Sequence, residues 1–269
     1  GFALASGDID ADGLSDVAIG ASAYDGDGAV FVQMAVGLDS NALQRINAAD
    51  NGAGNFTSFG RSVAVGDLDD NGFADLAVGS SNEVTVYLAT DAGLPSTPDR
   101  ILIGDAGDNF GAALGIADLD DDGIDDLLVG APNRSALVSN QGAVVVYRGS
   151  SDWLTNIATP ASKTFVGPST NNFRLGSSVA VGDIDNDARA DLLVGSTFGN
   201  GQVYVYRGST RDWIQPTRTT PDFIIEGEAT ADQFGFSIAT GADVDGDSID
   251  DLIVGAYGNG VAGSAYLYA

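Results

Sequence analysis

Five times the chain sets oxygen-bearing side chains at the first, third, fifth and ninth positions of a short segment. The copies are Asp8, Asp10, Asp12 and Asp16; Asp67, Asp69, Asn71 and Asp75; Asp118, Asp120, Asp122 and Asp126; Asp183, Asp185, Asp187 and Asp191; and Asp243, Asp245, Asp247 and Asp251. Alternating carboxylates converge when such a loop curls, and calcium, a hard cation, takes about 6 to 8 oxygens at about 2.3–2.6 Å. The backbone carbonyl at position 7 (Leu14, Phe73, Ile124, Arg189, Ile249) is expected to add one oxygen. The position-9 aspartate is expected to close the shell in bidentate fashion. Magnesium demands a smaller octahedral cage that keeps several waters, so loops this rich in carboxylate suit calcium better. Glycine at position 6 permits the sharp turn in the first three copies, whereas Ala188 and Ser248 stand there in the fourth and fifth. Where that position demands a positive φ, these two loops carry strain on the order of 1 kcal/mol or more, which predicts the fourth and fifth sites to be the weakest.

An EF-hand begins alike but needs a bidentate glutamate at position 12 and a helix on either side. Position 12 here is Ile19, Val78, Val129, Val194 or Val254, each inside an apolar run, which excludes that reading. Solvated acidic turns with no metal would not keep register five times. Of the 38 acidic residues only Glu83, Glu226 and Glu228 are glutamate, and nineteen of the 35 aspartates sit at ladder positions. The formal net charge of -27 is thus concentrated in the ladders, and five dications would bring it to -17. Such a surface repels nucleic acid and anionic lipid, with only Lys163 and ten arginines opposing it. No apolar run approaches the about 20 residues of a membrane helix. Neither nucleic-acid binding nor membrane insertion is therefore expected. With no Cys and no His, disulfides and thiolate or imidazole metal sites are excluded. Loops of this kind work at millimolar calcium, which points to a secreted, extracellular or cell-surface setting.

The elements that must hold these ladders recur with them. First aspartates fall at 8, 67, 118, 183 and 243, giving spacings of 59, 51, 65 and 60 residues. A unit of about 60 residues is too long for a leucine-rich or helical repeat and suits a propeller blade. The repeats read as 1-58, 59-109, 110-174, 175-233 and 234-269 of a single domain, 1-269. A Phe-Gly pair opens the unit at Phe59-Gly60, Phe110-Gly111 and Phe234-Gly235, with Leu175-Gly176 in the fourth. A short strand is expected to run into each ladder. A second follows over 16–20, 75–79, 126–130, 191–195 and 251–255, apolar on both faces and so expected to be buried on both. A third alternates with period two over 28–32, 83–87, 143–147, 202–206 and 264–268. A weaker fourth lies near 44–47, 100–103, 163–166 and 223–226. Four strands per unit, no helical periodicity and 37 glycines predict an all-β propeller of five four-stranded blades. The last blade lacks its outer strand in this chain, and an open edge invites pairing.

Phe-Gly, the ladder, then Gly130-Ala131-Pro132 or a near variant resembles the FG-GAP repeat. That repeat builds the β-propeller of integrin alpha subunits and occurs in bacterial surface proteins and some lectins. The resemblance covers essentially the whole chain. It implies that each ladder is the hairpin loop between the first and second strands of a blade, on one face of a disc. It also implies adhesion or ligand binding in place of catalysis. Propellers of that family usually have seven blades, and five copies fill this chain.

Matching segments end in Trp153 and Trp213, where packing at a blade edge is the expected role and sugar stacking its rival. Arg148 and Arg207, in the same segments, are expected to bridge to neighbouring aspartates in preference to a ligand carboxylate. Asn55-Phe-Thr57 and Asn133-Arg-Ser135 match the glycosylation acceptor pattern at near-chance frequency. Without His or Cys the remaining chemistry is a carboxylate pair, and Glu226, Glu228 and Asp232 show no sign of pairing, so no enzyme is expected. The leading reading is an extracellular calcium-binding propeller for adhesion, with a protein or glycan ligand on the face opposite the ladders. Its specificity would lie in the turns 21–27, 80–82, 131–141, 196–201 and 256–263, which vary while the scaffold repeats. The alternative is a structural subunit of a surface assembly or filament, joined through the open blade edge.

Overall fold

Apolar runs of five or six residues separated by glycine-rich turns can bury themselves only by pairing side by side, and each repeat does so as an antiparallel meander. A computed structural model describes residues 2–35, 43–48, 57–153, 162–208, 220–229, 232–258 and 263–269. The first sheet is β1 (Ala3–Gly7), β2 (Asp16–Ala21), β3 (Ala29–Gln33) and β4 (Leu43–Asn47), in that order. The second is β5 (Ser62–Gly66), β6 (Asp75–Gly79), β7 (Glu83–Tyr87) and β8 (Arg100–Ile103). The third is β9 (Leu114–Ala117), β10 (Asp126–Ala131), β11 (Ala143–Tyr147) and β12 (Lys163–Val166). The fourth is β13 (Ser178–Gly182), β14 (Asp191–Ser196), β15 (Gln202–Tyr206) and β16 (Phe223–Glu226). The fifth has three strands, β17 (Phe234–Ala242), β18 (Asp251–Ala256) and β19 (Ser264–Tyr268). Successive first strands touch, β1 to β5, β5 to β9, β9 to β13 and β13 to β17, so they line the axis of a five-bladed propeller.

Register places the ladders. Asp16 pairs with Gly7, Asp75 with Gly66, Asp126 with Ala117, Asp191 with Gly182 and Asp251 with Ala242. Each ladder is therefore the loop of the hairpin formed by the first two strands of its blade. All five loops lie at the end of the first strands remote from the Phe-Gly pairs.

The Phe-Gly and Gly-Ala-Pro signals have a physical cause. Phe59, Phe110, Leu175 and Phe234 are fully buried between their own blade and the preceding one. The glycine closing the second strand lies directly against the next blade's backbone. A Cβ on Gly130 would stand 2.3 Å from the Gly176 carbonyl oxygen, and one on Gly20 2.1 Å from that of Gly60. Only glycine admits that approach. Ser62 and Ser178 latch the second-to-third and fourth-to-fifth seams by donating to the Gly111 and Gly235 carbonyls at 2.7 and 2.6 Å.

Four apolar cores fill the four seams between successive blades. Among the described residues no such core joins the fifth blade to the first. The expectation that every second strand is buried on both faces consequently fails at the two end blades. Val17 on β2 and Ile253 on β18 are 38% and 42% exposed, whereas β6, β10 and β14 are buried throughout. Leu4 and Phe2 on one side, and Leu267 and Phe236 on the other, are exposed with them.

Candidate metal centres

Each ladder is shaped by its own backbone. The position-1 carboxylate receives two N–H groups, as Asp8 does from Asp12 at 3.0 Å and Gly13 at 2.9 Å. Asp67, Asp118, Asp183 and Asp243 accept the equivalent pairs. The position-5 oxygen accepts the N–H of position 7, from Leu14 to Asp12, Phe73 to Asn71, Ile124 to Asp122, Arg189 to Asp187 and Ile249 to Asp247. Asn71 is thus an able substitute for aspartate, since it offers the same oxygen.

The position-9 aspartate ties the loop to the sheet. Asp75 accepts from Leu68 N–H and from Ala89 N–H, both at 2.8 Å, joining the start of the ladder to the end of the third strand. Asp16, Asp126 and Asp191 do the same through Ile9 and Ala35, Leu119 and Gly149, and Ile184 and Gly208. All five position-9 aspartates are buried, Asp251 among them. Burial pushes the Asp75 carboxyl up to about 8, Asp126 to about 7 and Asp191 to about 6. This anchoring role was missed in the sequence, because the third strand lies far along the chain from the ladder it holds.

Carboxylate oxygens from positions 1, 3 and 9 lie within 4.8 Å of one another in the first, second, fourth and fifth ladders. In the third the close set is Asp118, Asp120 and Asp122, positions 1, 3 and 5. In the second, third and fourth ladders position 3 is the unsatisfied member. Oδ1 of Asp69, Asp120 and Asp185 is buried with no hydrogen-bond partner. Desolvation, and after it the neighbouring ladder aspartates, raises the pKa of Asp10, Asp69 and Asp120. A buried carboxylate oxygen without a partner is costly, and a bound cation removes that cost. The donor set is all oxygen and anionic, which fits a hard dication.

Two dihedrals recur. Position 6 has positive φ in every ladder, 86°, 87° and 90° at Gly13, Gly72 and Gly123, and 65° and 74° at Ala188 and Ser248. The conditional strain at those two residues is therefore present. Position 4 is left-handed as well, at Ala11, Asp70, Asp121, Asn186 and Gly246. The bias toward Asp, Asn and Gly at that position was the available signal, since these types tolerate the left-handed region.

Arg148 bridges to Asp120 and Asp122 at 2.8 and 2.6 Å, and Arg207 to Asp185 at 3.2 Å, as expected of arginines beside ladders. Each takes Oδ2 of the position-3 aspartate and leaves Oδ1 unpartnered. Trp153 is fully buried in the core between the second and third blades and donates its indole N–H to the Arg148 carbonyl, so packing is its role. Trp213 and Asn55 lie outside the described residues. Glu226 accepts from Gln202, Glu228 faces the Tyr266 hydroxyl and Asp232 accepts from Ala229 N–H, each with its own partner.

The repeat geometry agrees with comparison to known proteins. Residues 1–32, 59–93, 110–147, 175–206 and 234–268 match the FG-GAP repeat. The chain is 32% identical to integrin alpha-5 of Xenopus laevis over 222 residues, which is 74% of this chain and 20% of that protein. It is 35% identical to integrin alpha-7 of Rattus norvegicus over 178 residues, 64% of this chain and 15% of the relative. Integrin alpha-PS2 of Drosophila melanogaster is 29% identical over 220 residues, again 74% of this chain and 15% of the relative. The chain thus spans a fifth or less of the length of these relatives. Buried Phe-Gly pairs, blade-to-blade glycine contacts and five acidic hairpin loops account for those matches in physical terms, and the chain belongs to the FG-GAP repeat family.

Proposed function

We propose that the chain is a non-enzymatic, extracellular propeller that is stabilised by calcium and presents the face opposite its ladders to a protein or glycan ligand. The observation that carries the calcium assignment is the buried, unpartnered Oδ1 of Asp69, Asp120 and Asp185 inside clusters of carboxylates. Positions 1, 3 and 5, the position-7 carbonyl and the position-9 carboxylate of each ladder would hold the ion. The fourth and fifth sites would be the weakest. Ala188 supports the first of these, and the exposed Asp243 and Asp245 support the second. The five repeats act as one unit across residues 1–269. Similarity to integrin alpha chains supports an adhesive role at a cell surface. Calorimetric titration of chelator-treated protein tests the assignment: up to five calcium equivalents bind, and magnesium binds more weakly. A protein that takes up neither ion refutes it.

A second reading is favoured by the exposed apolar faces of the two end blades. Leu4, Val17, Ile253 and Leu267 are of the kind buried in every other seam. In this reading those faces join copies into a surface assembly or filament. Sedimentation over a range of concentrations decides it, because a strict monomer at high concentration removes self-association.

A further inference from the structure

The residues that follow the glycine of each Phe-Gly pair or its counterpart lie at the start of the first strands or just before them, at the end of the disc remote from the ladders. In the five blades they are Phe2, Arg61, Ala112, Ser177 and Phe236, and all five line one central depression of about 560 Å³. Arg174, Asn109 and Asn133 also face it, and among the described residues no carboxylate does. In a chain with a formal charge of -27, a depression whose described lining holds two arginines and no acid is the exception.

The other described cations are engaged elsewhere. Arg134, Arg148, Arg189 and Arg207 pair with aspartates. Arg100 donates to the Trp153 carbonyl, while Arg45 lies over the Tyr24 ring and Lys163 over that of Phe165. Arg61 donates to the neutral Asn109 Oδ1, and neither it nor Arg174 has a carboxylate within 4.0 Å among the described residues. Burial lowers the Arg61 pKa, so its charge is poorly solvated. The fold does not require arginine at either place. Phe, Ala and Ser serve at the positions equivalent to Arg61, and Ser58, Asn109 and Gln233 adopt the same left-handed backbone as Arg174.

We propose that this depression is a carboxylate-binding site that takes an acidic side chain, flanked by apolar residues, of a protein ligand. Arginine presents fixed N–H forks that match a carboxylate, and two of them line this depression. Phe2 and Phe236, 74% and 51% exposed at the rim, offer apolar contact to the flanking residues. The -27 body repels a polyanion such as a sulfated glycan, whereas a single anion enters at a local positive patch. The proposal deepens the reading that this face binds ligand and rests on it.

The test uses the calcium-loaded chain and two acetylated, amidated tripeptides, Leu-Glu-Leu and Leu-Gln-Leu, titrated by NMR up to about 10 mM. The Glu peptide is expected to bind at least about tenfold more tightly than the Gln peptide. Arg61→Gln and Arg174→Gln should each weaken the Glu peptide by about tenfold, and Arg45→Gln should leave it unchanged. Arg174 is exposed, so R174Q keeps the fold and the test survives a damaged R61Q. Equal binding of the two peptides, no binding, or full binding by the double variant overturns the site. Inorganic sulfate or N-acetylneuraminic acid binding more tightly than the Glu peptide, through the same arginines, overturns the peptide assignment. Attachment of the chain to cells, measured in parallel, separates the two levels. Attachment unchanged in the double variant sinks this site and spares the ligand-binding face, whereas absent attachment sinks the face while the peptide titration still reads the site.

Discussion

The two ends of the disc are built on opposite rules. At the ladder end five similar loops repeat the same bonds from position 1, and in the first four position 9 ties the loop to the end of the third strand. At the other end the equivalent positions hold Phe2, Arg61, Ala112, Ser177 and Phe236, which range from aromatic to cationic to small. Fivefold repetition is what a structural demand imposes, since every seam must be closed in the same way. Divergence on a common frame is where a specific surface can be built without disturbing the core. Substitutions at the ladder end should therefore move stability, and substitutions at the other end should move binding alone.

Chelation gives the largest separation of the two ends. At free calcium about twentyfold above Kd, one site adds about 1.8 kcal/mol, so five sites add about 9 kcal/mol, which is the size of a domain's whole net stability. Melting in EGTA is expected to fall by tens of degrees or to show an unfolded chain, whereas the Arg174→Gln variant, changed at an exposed position, stays within about 0.5 kcal/mol of the parent in calcium. A chain equally stable in EGTA and calcium breaks the contrast.

Within a ladder the same comparison can be made between two carboxylates of the second loop. Asp75→Ala leaves the buried N–H groups of Leu68 and Ala89 unpaired, at about 1–3 kcal/mol each, so it should destabilise in EGTA as well as in calcium. Asp69→Ala removes a carboxylate whose Oδ1 has no partner, so in EGTA it should be neutral or stabilising, and in calcium it should lose the site. Urea melts of both variants in both buffers check this. If Asp69→Ala is as damaging in EGTA as Asp75→Ala, position 3 is structural and the cation assignment weakens.

Acid response has opposite signs in the two buffers. Burial raises Asp75 to about 8, Asp126 to about 7 and Asp191 to about 6, all above the unfolded value of 3.8. A raised carboxyl favours the folded state while it is protonated, so that contribution is full below about pH 4 and is lost as pH rises through about 6 to 8. In EGTA the chain should therefore lose stability across that window. Calcium needs the ionised carboxylates, so its added stability should grow over the same window and the two curves should diverge. Parallel curves from pH 5 to 8 would show that these carboxylates are not linked to the ion.

Much of the ladder end was legible in the sequence, because five copies expose both period and register. β6, β7, β8, β11, β12, β15, β16 and β19 have the bounds that alternation and apolar runs predict, and the other second strands run one residue longer. Ladder convergence was legible too, since Asp at alternate positions determines which oxygens meet. What stayed hidden depends on partners remote in sequence. Asp16 meets the Ala35 N–H nineteen residues on, and Gly20 abuts Gly60 in another blade. The exposed faces of the end blades were invisible because β2 and β18 read like β6, β10 and β14, and only neighbours distinguish them. The central depression gathers residues from all five repeats, so no local window contains it.

The smallest expected effect tests whether the ladders are equal among themselves. Ala188 sits at φ 65° where three other loops have glycine. An alanine there carries about 1–2 kcal/mol of steric strain, while glycine brings about 0.4–1 kcal/mol of extra unfolded-state entropy. Ala188→Gly should thus gain on the order of 0.5–1 kcal/mol in calcium. The entropy belongs to the unfolded chain and does not touch ion affinity. Where the chelated loop relaxes from its left-handed geometry, the ion must restore it, and about 1 kcal/mol of strain becomes about a fivefold loss of affinity at the fourth site. Site-resolved titration of A188G should therefore show that site tightening by up to that factor, with the first three unchanged. If the variant gains equally in EGTA and calcium and its fourth site is no tighter, the strain is fixed by the Asp183 bonds to Asp187 and Ala188 before any ion arrives. The ladders would then differ in stability and not in affinity.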